Sequence, residues 1–303
     1  MAAAEQLGRI VALPKTVLIT GCSSPQGIGF ATARGLAHAG LAVHATVRDR
    51  SQVAALLDGV EDRLAVHQLD LLDRESLTHT VESILASDGC LDVLINNAGY
   101  GLIGGVEQVE IERARANFET NFFGTVALIQ EVLPVMRRQN SGHIVNVSTV
   151  FAASLCPPAL GYYIASKAAL ECVTQALAVE AAPWGLRVSN FQPGPVLTEL
   201  SREWGGRLPA SEDPRPSLSD ELYAWVLGGD APAPQSPSEA ADALCELVRS
   251  ESPSLARQSS MASEAFVAAA LRDPTRDAEL ARLLEQFSSR AGGGSEPPSG
   301  SAT

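Results

Sequence analysis

Between residues 15 and 191 the sequence alternates six times between a short apolar run and a longer segment whose apolar residues have helical spacing. The runs are apolar along most of their length and rich in β-branched residues, which is typical of strands buried on both faces. Strands separated by helices predict a parallel sheet with helices on each side. The six runs are Thr16–Thr20, Leu41–Val47, Leu64–Leu69, Leu91–Ile95, His143–Val147 and Arg187–Phe191.

Six βα units are fewer than a closed barrel needs, so we expect an α/β fold with an open, doubly wound, Rossmann-like parallel sheet. Its ligand crevice should lie at the carboxyl ends of the strands. We predict one domain with a Rossmann core at residues 13–198 that binds the cofactor and carries catalysis. Residues 199–290 are expected to form a substrate-lid segment and C-terminal helices, and residues 291–303 a disordered tail.

Two features of the C-terminal third carry predictions of their own. Ser238, just before Glu239, is a candidate N-cap for the first helix there, and helical spacing returns at Met261–Ser289. The lid segment also contains three large aromatic residues that either cover the substrate or anchor the segment to the body of the domain. They are Trp204, Tyr223 and Trp225.

Composition excludes several classes of protein. The chain has 35 acidic and 22 basic residues and a formal net charge of −13, so it should repel polyanions, and we expect no nucleic-acid partner. Its five cysteines are widely spread and lack metal-ligand spacing, so neither a disulfide framework nor a metal site is predicted. No apolar run approaches the ~18 residues of a membrane span, and no signal-peptide pattern is present, so we expect a cytoplasmic protein.

The first βα turn carries a glycine-rich loop, TGCSSPQGIG, at Thr20–Gly29. Glycines let the backbone turn tightly and approach a pyrophosphate, and the following helix directs its positive N-terminus at that charge. The position of the loop after the first strand favours a phosphate-binding role over an ordinary turn. The candidate cofactor contacts in it are Gly21, Ser23, Ser24, Gly27, Ile28 and Gly29.

The end of the second strand predicts the choice of dinucleotide. An acidic side chain there would bind a ribose 2′-hydroxyl, whereas a basic one accommodates a 2′-phosphate. The sequence has apolar Val47 followed by Arg48, while Asp49 is a candidate helix cap. Arg48 therefore favours NADP(H) over NAD(H), although an exposed arginine at a helix entry would look the same in sequence.

Tyr163 and Lys167 are four residues apart, which on a helix places both side chains on one face. A nearby cation favours phenolate and moves a tyrosine pKa towards the range of a working proton donor. The chain has only two lysines, Lys15 and Lys167, and uses arginine for its other basic residues. This scarcity favours a specific role for Lys167.

Together with the glycine loop and the Tyr163/Lys167 pair, five other motifs in order resemble the classical short-chain dehydrogenases/reductases over residues 13–200. The strand ending HATVRD and the segments ETNFFGTV and GPV are most similar to the hydroxysteroid dehydrogenase and carbonyl reductase branch of that family. The additional motifs are Asp70-Leu71 after the third strand, Asn96–Gly99 (NNAG) after the fourth, Asn121 within ETNFFG, NVST at Asn146–Thr149 and PGPVLT at Pro193–Thr198.

The resemblance implies a role for each of these residues. Tyr163 would donate the proton to the carbonyl oxygen, and Lys167 would lower the pKa of Tyr163 and hold the nicotinamide ribose. Asn121 would orient a water that connects Lys167 to solvent. Thr198 and the backbone around Val196 would bind the carboxamide. The other implied cofactor contacts are Asp70, Leu71, Asn97, Ala98, Gly99, Pro193 and Gly194.

The sequence departs from the family pattern at two places. Pro25 and Gln26 look like a two-residue insertion in the glycine loop, which leaves the roles of Cys22–Gln26 open. The family's substrate-binding serine aligns with Thr149, whose spacing to Tyr163 is one residue longer than usual. Ser148 is the alternative, but alternation along a strand should turn its side chain away, so we prefer Thr149.

The implied activity is that of an NADP(H)-dependent oxidoreductase that interconverts a ketone and a secondary alcohol. The small-molecule carbonyl or alcohol substrate would be bulky and apolar, such as a steroid, retinoid or polyketide. The family also implies a homo-oligomer, a dimer or a tetramer. One alternative is a non-catalytic NADP(H)-binding regulator, which has no need of the Tyr163, Lys167 and Asn121 set. The other alternative is an epimerase or lyase of the same fold. Such an enzyme would need additional acid or base groups, which we do not identify in the sequence.

Overall fold

A computed structural model describes residues 16–48, 51, 53–60, 62–198, 226, 231–273 and 275–291. Its strands are β1 (Thr16–Ile19), β2 (Ala42–Val47), β3 (Leu64–Gln68), β4 (Val93–Asn96), β5 (Gly142–Val147), β6 (Leu186–Gln192) and β7 (Ala256–Gln258). They form one seven-stranded sheet in the order β3-β2-β1-β4-β5-β6-β7, in which every neighbouring pair is parallel. The doubly wound α/β prediction is confirmed.

Helices cover both faces of this sheet. They are α1 (Ile28–His38), α2 (Val53–Leu57), α3 (Arg74–Asp88), α4 (Ile111–Phe118), α5 (Thr125–Gln139), α6 (Gly161–Ala181), α7 (Pro237–Arg249), α8 (Met261–Ala270) and α9 (Asp277–Ala291). A π-helical turn at Glu119–Gly124 joins α4 to α5. Within the ranges described, no helix is long and apolar enough to cross a bilayer.

The core has two layers because successive strand residues face opposite sides of the sheet. Val17 and Ile19 of β1 point into the layer that includes α1 and α7, whereas Leu18 between them points into the layer that includes α3, α5 and α6. All three side chains are fully buried. This double burial explains why the strands are apolar along their whole length in the sequence.

The C-terminal third departs from the predictions in its edge strand and in the division of its helices. The edge strand β7 was not predicted, because its three residues, Ala-Arg-Gln, are partly exposed and form no apolar run. The helical stretch predicted at Met261–Ser289 is divided into α8 and α9. The predicted aromatic lid residues Trp204, Tyr223 and Trp225 lie outside the described residues.

The predicted N-cap of α7 was wrong by two residues. Ser236, not Ser238, caps this helix: its hydroxyl accepts from the Glu239 backbone N–H at 3.2 Å, and a Glu239 carboxylate oxygen accepts from the Ser236 backbone N–H at 2.8 Å. Pro237 fits the first helical turn because its missing N–H would have no intrahelical partner there. The reciprocal bonds form a capping box.

Candidate active site

A cavity of about 530 Å³ opens at the carboxyl edge of the sheet, where β1 and β4 lie side by side and the chain reverses its direction of winding. This is the topological switch point, the usual ligand crevice of such sheets. All predicted site residues line the cavity except Gly29 and Asn121. They are Gly21, Ser23, Ser24, Gly27, Ile28, Arg48, Asp70, Leu71, Asn97, Ala98, Gly99, Thr149, Tyr163, Lys167, Pro193, Gly194, Val196 and Thr198.

The glycine loop packs so closely on the turn after β4 that side chains are excluded at two positions. Gly21 has φ +76°, and a Cβ there would lie 2.7 Å from the Ala98 Cα. A Cβ on Gly29 would collide with the Asn97 amide and lie 2.6 Å from the Gly21 carbonyl oxygen. Gly29 thus acts behind the cavity wall, allowing α1 to begin close to the loop.

The Pro25-Gln26 insertion is accommodated as a turn. The Gly27 N–H donates to the Ser24 carbonyl at 2.9 Å, and the Gln26 N–H donates to the Ser24 hydroxyl at 3.2 Å. Cys22 is fully buried with its thiol directed at the Ile19 and Gly29 carbonyls, and burial raises its pKa to about 12. Cys22 is therefore a structural part of the loop, whereas Ser23 and Ser24 reach the cavity.

Asn97 fastens the glycine loop to the end of β4. Its side-chain amide donates to the Thr20 carbonyl at 2.8 Å and to the Gly21 carbonyl at 3.1 Å. In return, the Thr20 hydroxyl accepts from the backbone N–H groups of Asn97 and Ala98. These bonds fix the floor of the cavity before any ligand binds.

Arg48 lies at the far end of the cavity, directly after β2. Its backbone is held on both sides, because its N–H donates to the Ser23 hydroxyl at 3.3 Å and its carbonyl accepts from the Gln68 amide at 3.1 Å. The Arg48 side chain is exposed. Asp70 instead stabilises its own turn by accepting from the Leu72 N–H at 2.9 Å. Asp49 lies outside the described part of the chain.

Tyr163, Lys167 and Thr149 meet at the opposite end of the cavity. Tyr163 and Lys167 belong to the first turns of α6, and Lys167 Nζ donates to the Val147 carbonyl at the end of β5 at 2.9 Å. Thr149 caps the short 3₁₀ turn at Val150–Ala152, its hydroxyl oxygen accepting from the Phe151 N–H at 3.4 Å. A phenol, an ammonium and a hydroxyl thus share one corner.

Burial sets the protonation of the two titratable groups in this corner. It raises the pKa of Tyr163 to about 12 and lowers the pKa of Lys167 to about 8. The pKa of Tyr163 is thus raised, whereas the neighbouring Lys167 cation alone was expected to lower it. Loss of solvation has the larger effect. Near neutral pH the phenol therefore keeps its proton, and the ammonium is mostly charged.

Asn121 sits behind the cavity wall, on the π-helical turn, and is fully buried. Its amide oxygen accepts from the Tyr100 N–H at 3.0 Å, and its amide nitrogen donates to the Tyr100 carbonyl at 3.0 Å and the Ser166 hydroxyl at 3.1 Å. A Cβ on Gly99 would lie 2.9 Å from the Asn121 amide oxygen and 3.2 Å from Lys167 Nζ. Gly99 therefore separates Asn121 from Lys167 with no room for a side chain.

The loop after β6 is braced by the C-terminal third. The Val196 segment pairs with Gln235: the Gln235 N–H donates to the Pro195 carbonyl at 2.9 Å, and the Gln235 carbonyl accepts from the Leu197 N–H at 2.9 Å. The Gly194 N–H donates to the Ser259 hydroxyl at 3.2 Å. Sequence reasoning had no signal for these partners, since they lie some 40 to 65 residues further along the chain.

Several lining residues were not predicted. Most of them lie at the end of a strand or in the loop that follows it, so the predicted strand ends could have identified these; Thr120 on the π-helical turn and Leu160 before α6 are the exceptions. They are Thr46, Leu69, Leu72, Tyr100, Thr120, Val147, Phe151, Leu160 and Pro195.

Comparisons of the sequence and of the structure with known proteins both find dehydrogenases. A sequence model of the short chain dehydrogenase family matches residues 15–207. Human retinol dehydrogenase 8 is 34% identical over 272 residues, 83% of each chain. A solved short-chain dehydrogenase from Streptomyces avermitilis has a TM-score of 0.71 and 31% identity, covering 95% of this chain and 100% of its own. One from Burkholderia cenocepacia, in complex with NADP, has a TM-score of 0.69 and 27% identity, covering 90% and 98%.

Proposed function

Because the chain belongs to the short-chain dehydrogenase family, an oxidoreductase family that acts on CH–OH groups with NAD(P), we propose that it is an NADP(H)-dependent ketoreductase or alcohol dehydrogenase for a bulky apolar substrate. The observation that carries the proposal is the corner where Tyr163, Lys167 and Thr149 meet, at the end of a cavity whose other end carries Arg48.

The residues at the switch point fit a dinucleotide. The glycine loop leaves backbone exposed where Gly21 and Gly27 line the cavity, and α1 begins at Ile28 with its unpaired N–H groups facing the same space. A helix N-terminus and side-chain-free backbone together suit a pyrophosphate. On this proposal Asp70, Leu71 and Asn97–Gly99 hold the adenosine and ribose side, and Pro193–Thr198 the nicotinamide side.

The bound dinucleotide would supply or accept the hydride. In reduction, Tyr163 donates its phenolic proton to the carbonyl oxygen, which its raised pKa allows because the phenol is protonated at neutral pH. The ammonium of Lys167 then stabilises the phenolate that remains. The Thr149 hydroxyl orients the substrate oxygen, while Asn121 holds the turn that flanks Lys167.

An apolar wall next to Tyr163 supports the substrate class. The Tyr163 ring packs against a buried cluster that includes Phe151, Leu160 and Val267, and Phe151 meets Phe266 of α8 edge to face at 5.8 Å between ring centroids. An apolar wall of this kind suits a hydrocarbon body better than a sugar. On this proposal residues 199–290 form the substrate side and residues 13–198 the cofactor and catalytic core.

The direct test of this function is oxidation of NADPH, followed at 340 nm, against a panel of ketones that ranges from small aliphatic compounds to steroids and retinoids. We expect turnover with the large apolar members and little with the small polar ones. Tight NADPH binding without turnover of any carbonyl compound would contradict the proposal and favour a regulator. Turnover of polar ketones alone would contradict the substrate class.

Replacement of Arg48 by aspartate tests the cofactor preference. We expect the KM for NADPH to rise about 10- to 100-fold, since a charge-assisted contact to the 2′-phosphate contributes about 1.5–3 kcal/mol. The new carboxylate should also improve the use of NADH. Arg63→Asp, at the amino edge of the sheet before β3, is the matched control. An unchanged NADPH preference in Arg48→Asp would remove Arg48 from the cofactor site.

A homo-oligomer, the dimer or tetramer expected from the resemblance, is supported by the outer face of α6. This face carries Ala165, Cys172, Ala176 and Val179, all exposed, and Val179 is 77% exposed. Because the opposite face of α6 is buried in the core, an apolar outer face bordered by the exposed Gln175 and Glu180 suits contact with a second copy of the chain. A monomer in light scattering at micromolar concentration would contradict this part of the proposal.

A further inference from the structure

Two buried charges lie one helical turn apart on α6. Among the residues that the structure describes, Lys167 and Glu171 are the only buried side chains of the lysine, arginine, aspartate or glutamate type. Such side chains are almost never buried unless they are paired or fully hydrogen-bonded. Residues four apart on a helix share one face, with Cβ atoms about 5–6 Å apart. The reaction proposed above uses Lys167 and leaves Glu171 without a role.

The side chains of Lys167 and Glu171 contact adjacent residues at the end of β5. Lys167 Nζ donates to the Val147 carbonyl at 2.9 Å, and the Ser148 hydroxyl, on the next residue, lies beside the Glu171 carboxyl. Thr149 of the candidate active site follows immediately. Glu171 is thus on the buried side of the backbone segment whose other side forms the reactive corner.

We propose that Glu171 is the buried counter-charge of Lys167, a positioning residue that keeps the lysine protonated beside Tyr163. The proposal rests on the function proposed for Lys167. In this proposal the Glu171 carboxylate acts on Lys167 through its electric field and not through a hydrogen bond. Lys167 donates to the Val147 carbonyl, and Glu171 accepts from the Gln192 amide.

Two opposing effects act on the Glu171 carboxyl. Burial, the larger one, raises its pKa, and hydrogen bonds from Ser148 and Gln192 oppose that rise. The Gln192 amide donates to the carboxylate at 2.7 Å, while its own oxygen accepts from the Gln258 amide at 2.6 Å. Because Gln258 fixes which end of the Gln192 amide is the oxygen, Gln192 must present donors to Glu171. The edge strand β7 therefore helps to hold the carboxylate charged.

Other titratable groups around Lys167 do not supply this charge. On α6 itself the second neighbour is Tyr163, which burial keeps neutral. The elements that pack on this part of α6, or line the same cavity, add the phenol of Tyr100, whose pKa burial raises, and charged side chains that are all exposed. The ends of β5 and β6 nearest Lys167 add only neutral polar groups. The exposed charged residues are Arg48, Asp70, Glu112, Arg113, Arg115 and Glu119.

The experiment measures the pKa of Lys167 directly, without substrate. Protein labelled with ¹³Cε-lysine should give only two lysine resonances, because the chain has only Lys15 and Lys167, and Lys167→Met assigns them. We expect Glu171→Gln to lower the Lys167 titration midpoint by about one pH unit from its wild-type value near 8. One pH unit is about 1.4 kcal/mol, the interaction of two unit charges about 12 Å apart at an effective dielectric constant of about 20.

Three further variants make the outcome decisive. Glu171→Asp keeps the charge and should restore the midpoint to within about half a unit, and Glu180→Gln, exposed on the same helix, should not move it. Gln192→Met removes a donor from the carboxylate and should lower the midpoint in the same direction, which gives a second test should Glu171→Gln fail to fold. An unmoved midpoint in folded Glu171→Gln overturns the proposal. Absence of ketone reduction in the wild-type protein, with the midpoint shifted as expected in Glu171→Gln, would instead contradict the proposed function.

Discussion

Tyr163→Phe is expected to lower kcat for ketone reduction by about a thousandfold while NADPH binding stays within about twofold of wild type. The substitution removes only the hydroxyl that donates the proton, and positioned proton donors contribute about 10²–10⁴-fold. The ring would still pack against the apolar cluster of Phe151 and Leu160, so the shape of the site should be kept. Turnover is measured by NADPH absorbance, and cofactor binding by NADPH fluorescence.

The adjacent tyrosine provides a matched control. Tyr162 donates its hydroxyl hydrogen to the Val106 carbonyl at 3.2 Å and does not line the cavity. Tyr162→Phe therefore removes the same atom one residue away, and we expect kcat within about threefold of wild type, since a single exposed hydrogen bond contributes about 1 kcal/mol or less. If Tyr163→Phe kept more than a tenth of the wild-type rate, Tyr163 would not be the proton donor.

Most of the fold was predictable because its determinants are local. A strand buried on both faces must be apolar along its length, and Val17, Leu18 and Ile19 meet that requirement in adjacent residues. The glycine loop was also predictable, since Gly21 needs a positive φ and sits where a side chain would strike Ala98. In such places one short segment of sequence carries the whole physical constraint.

The predictions failed or were silent where the determinants are distant in sequence. β7 pairs with β6 through backbone groups, so its side chains carry no strand signal. Gln235 and Ser259 reach the loop at Pro193–Thr198 only in the folded chain. The pKa of Tyr163 depends on how completely the fold removes water from it, and helical spacing to Lys167 could not reveal that.

Lys167→Met is expected to lower the rate of ketone reduction by about a hundredfold or more, and also to weaken NADPH binding. Without the ammonium, the phenolate left after proton donation loses the charge that stabilises it, and in the proposed site the nicotinamide ribose loses a hydrogen-bond donor. The same two measurements apply, with Lys15→Met as the control for removal of the only other lysine. Turnover within tenfold of wild type in Lys167→Met would show that the proton transfer does not need this cation.

Lys167→Arg separates charge from fit, and we expect it to remain inactive although it keeps the positive charge. The ammonium lies in a narrow space, with the Val147 carbonyl 2.9 Å away on one side and Gly99 on the other, where even an added Cβ would lie 3.2 Å from Nζ. A planar guanidinium is larger and would have to displace Gly99 or Asn121, and overpacking of this kind typically costs about 1–3 kcal/mol. Circular dichroism establishes that the variant folds. Recovery of a tenth or more of wild-type activity in Lys167→Arg would show that a positive charge near Tyr163 is sufficient, and that the close fit around Gly99 is not what selects lysine.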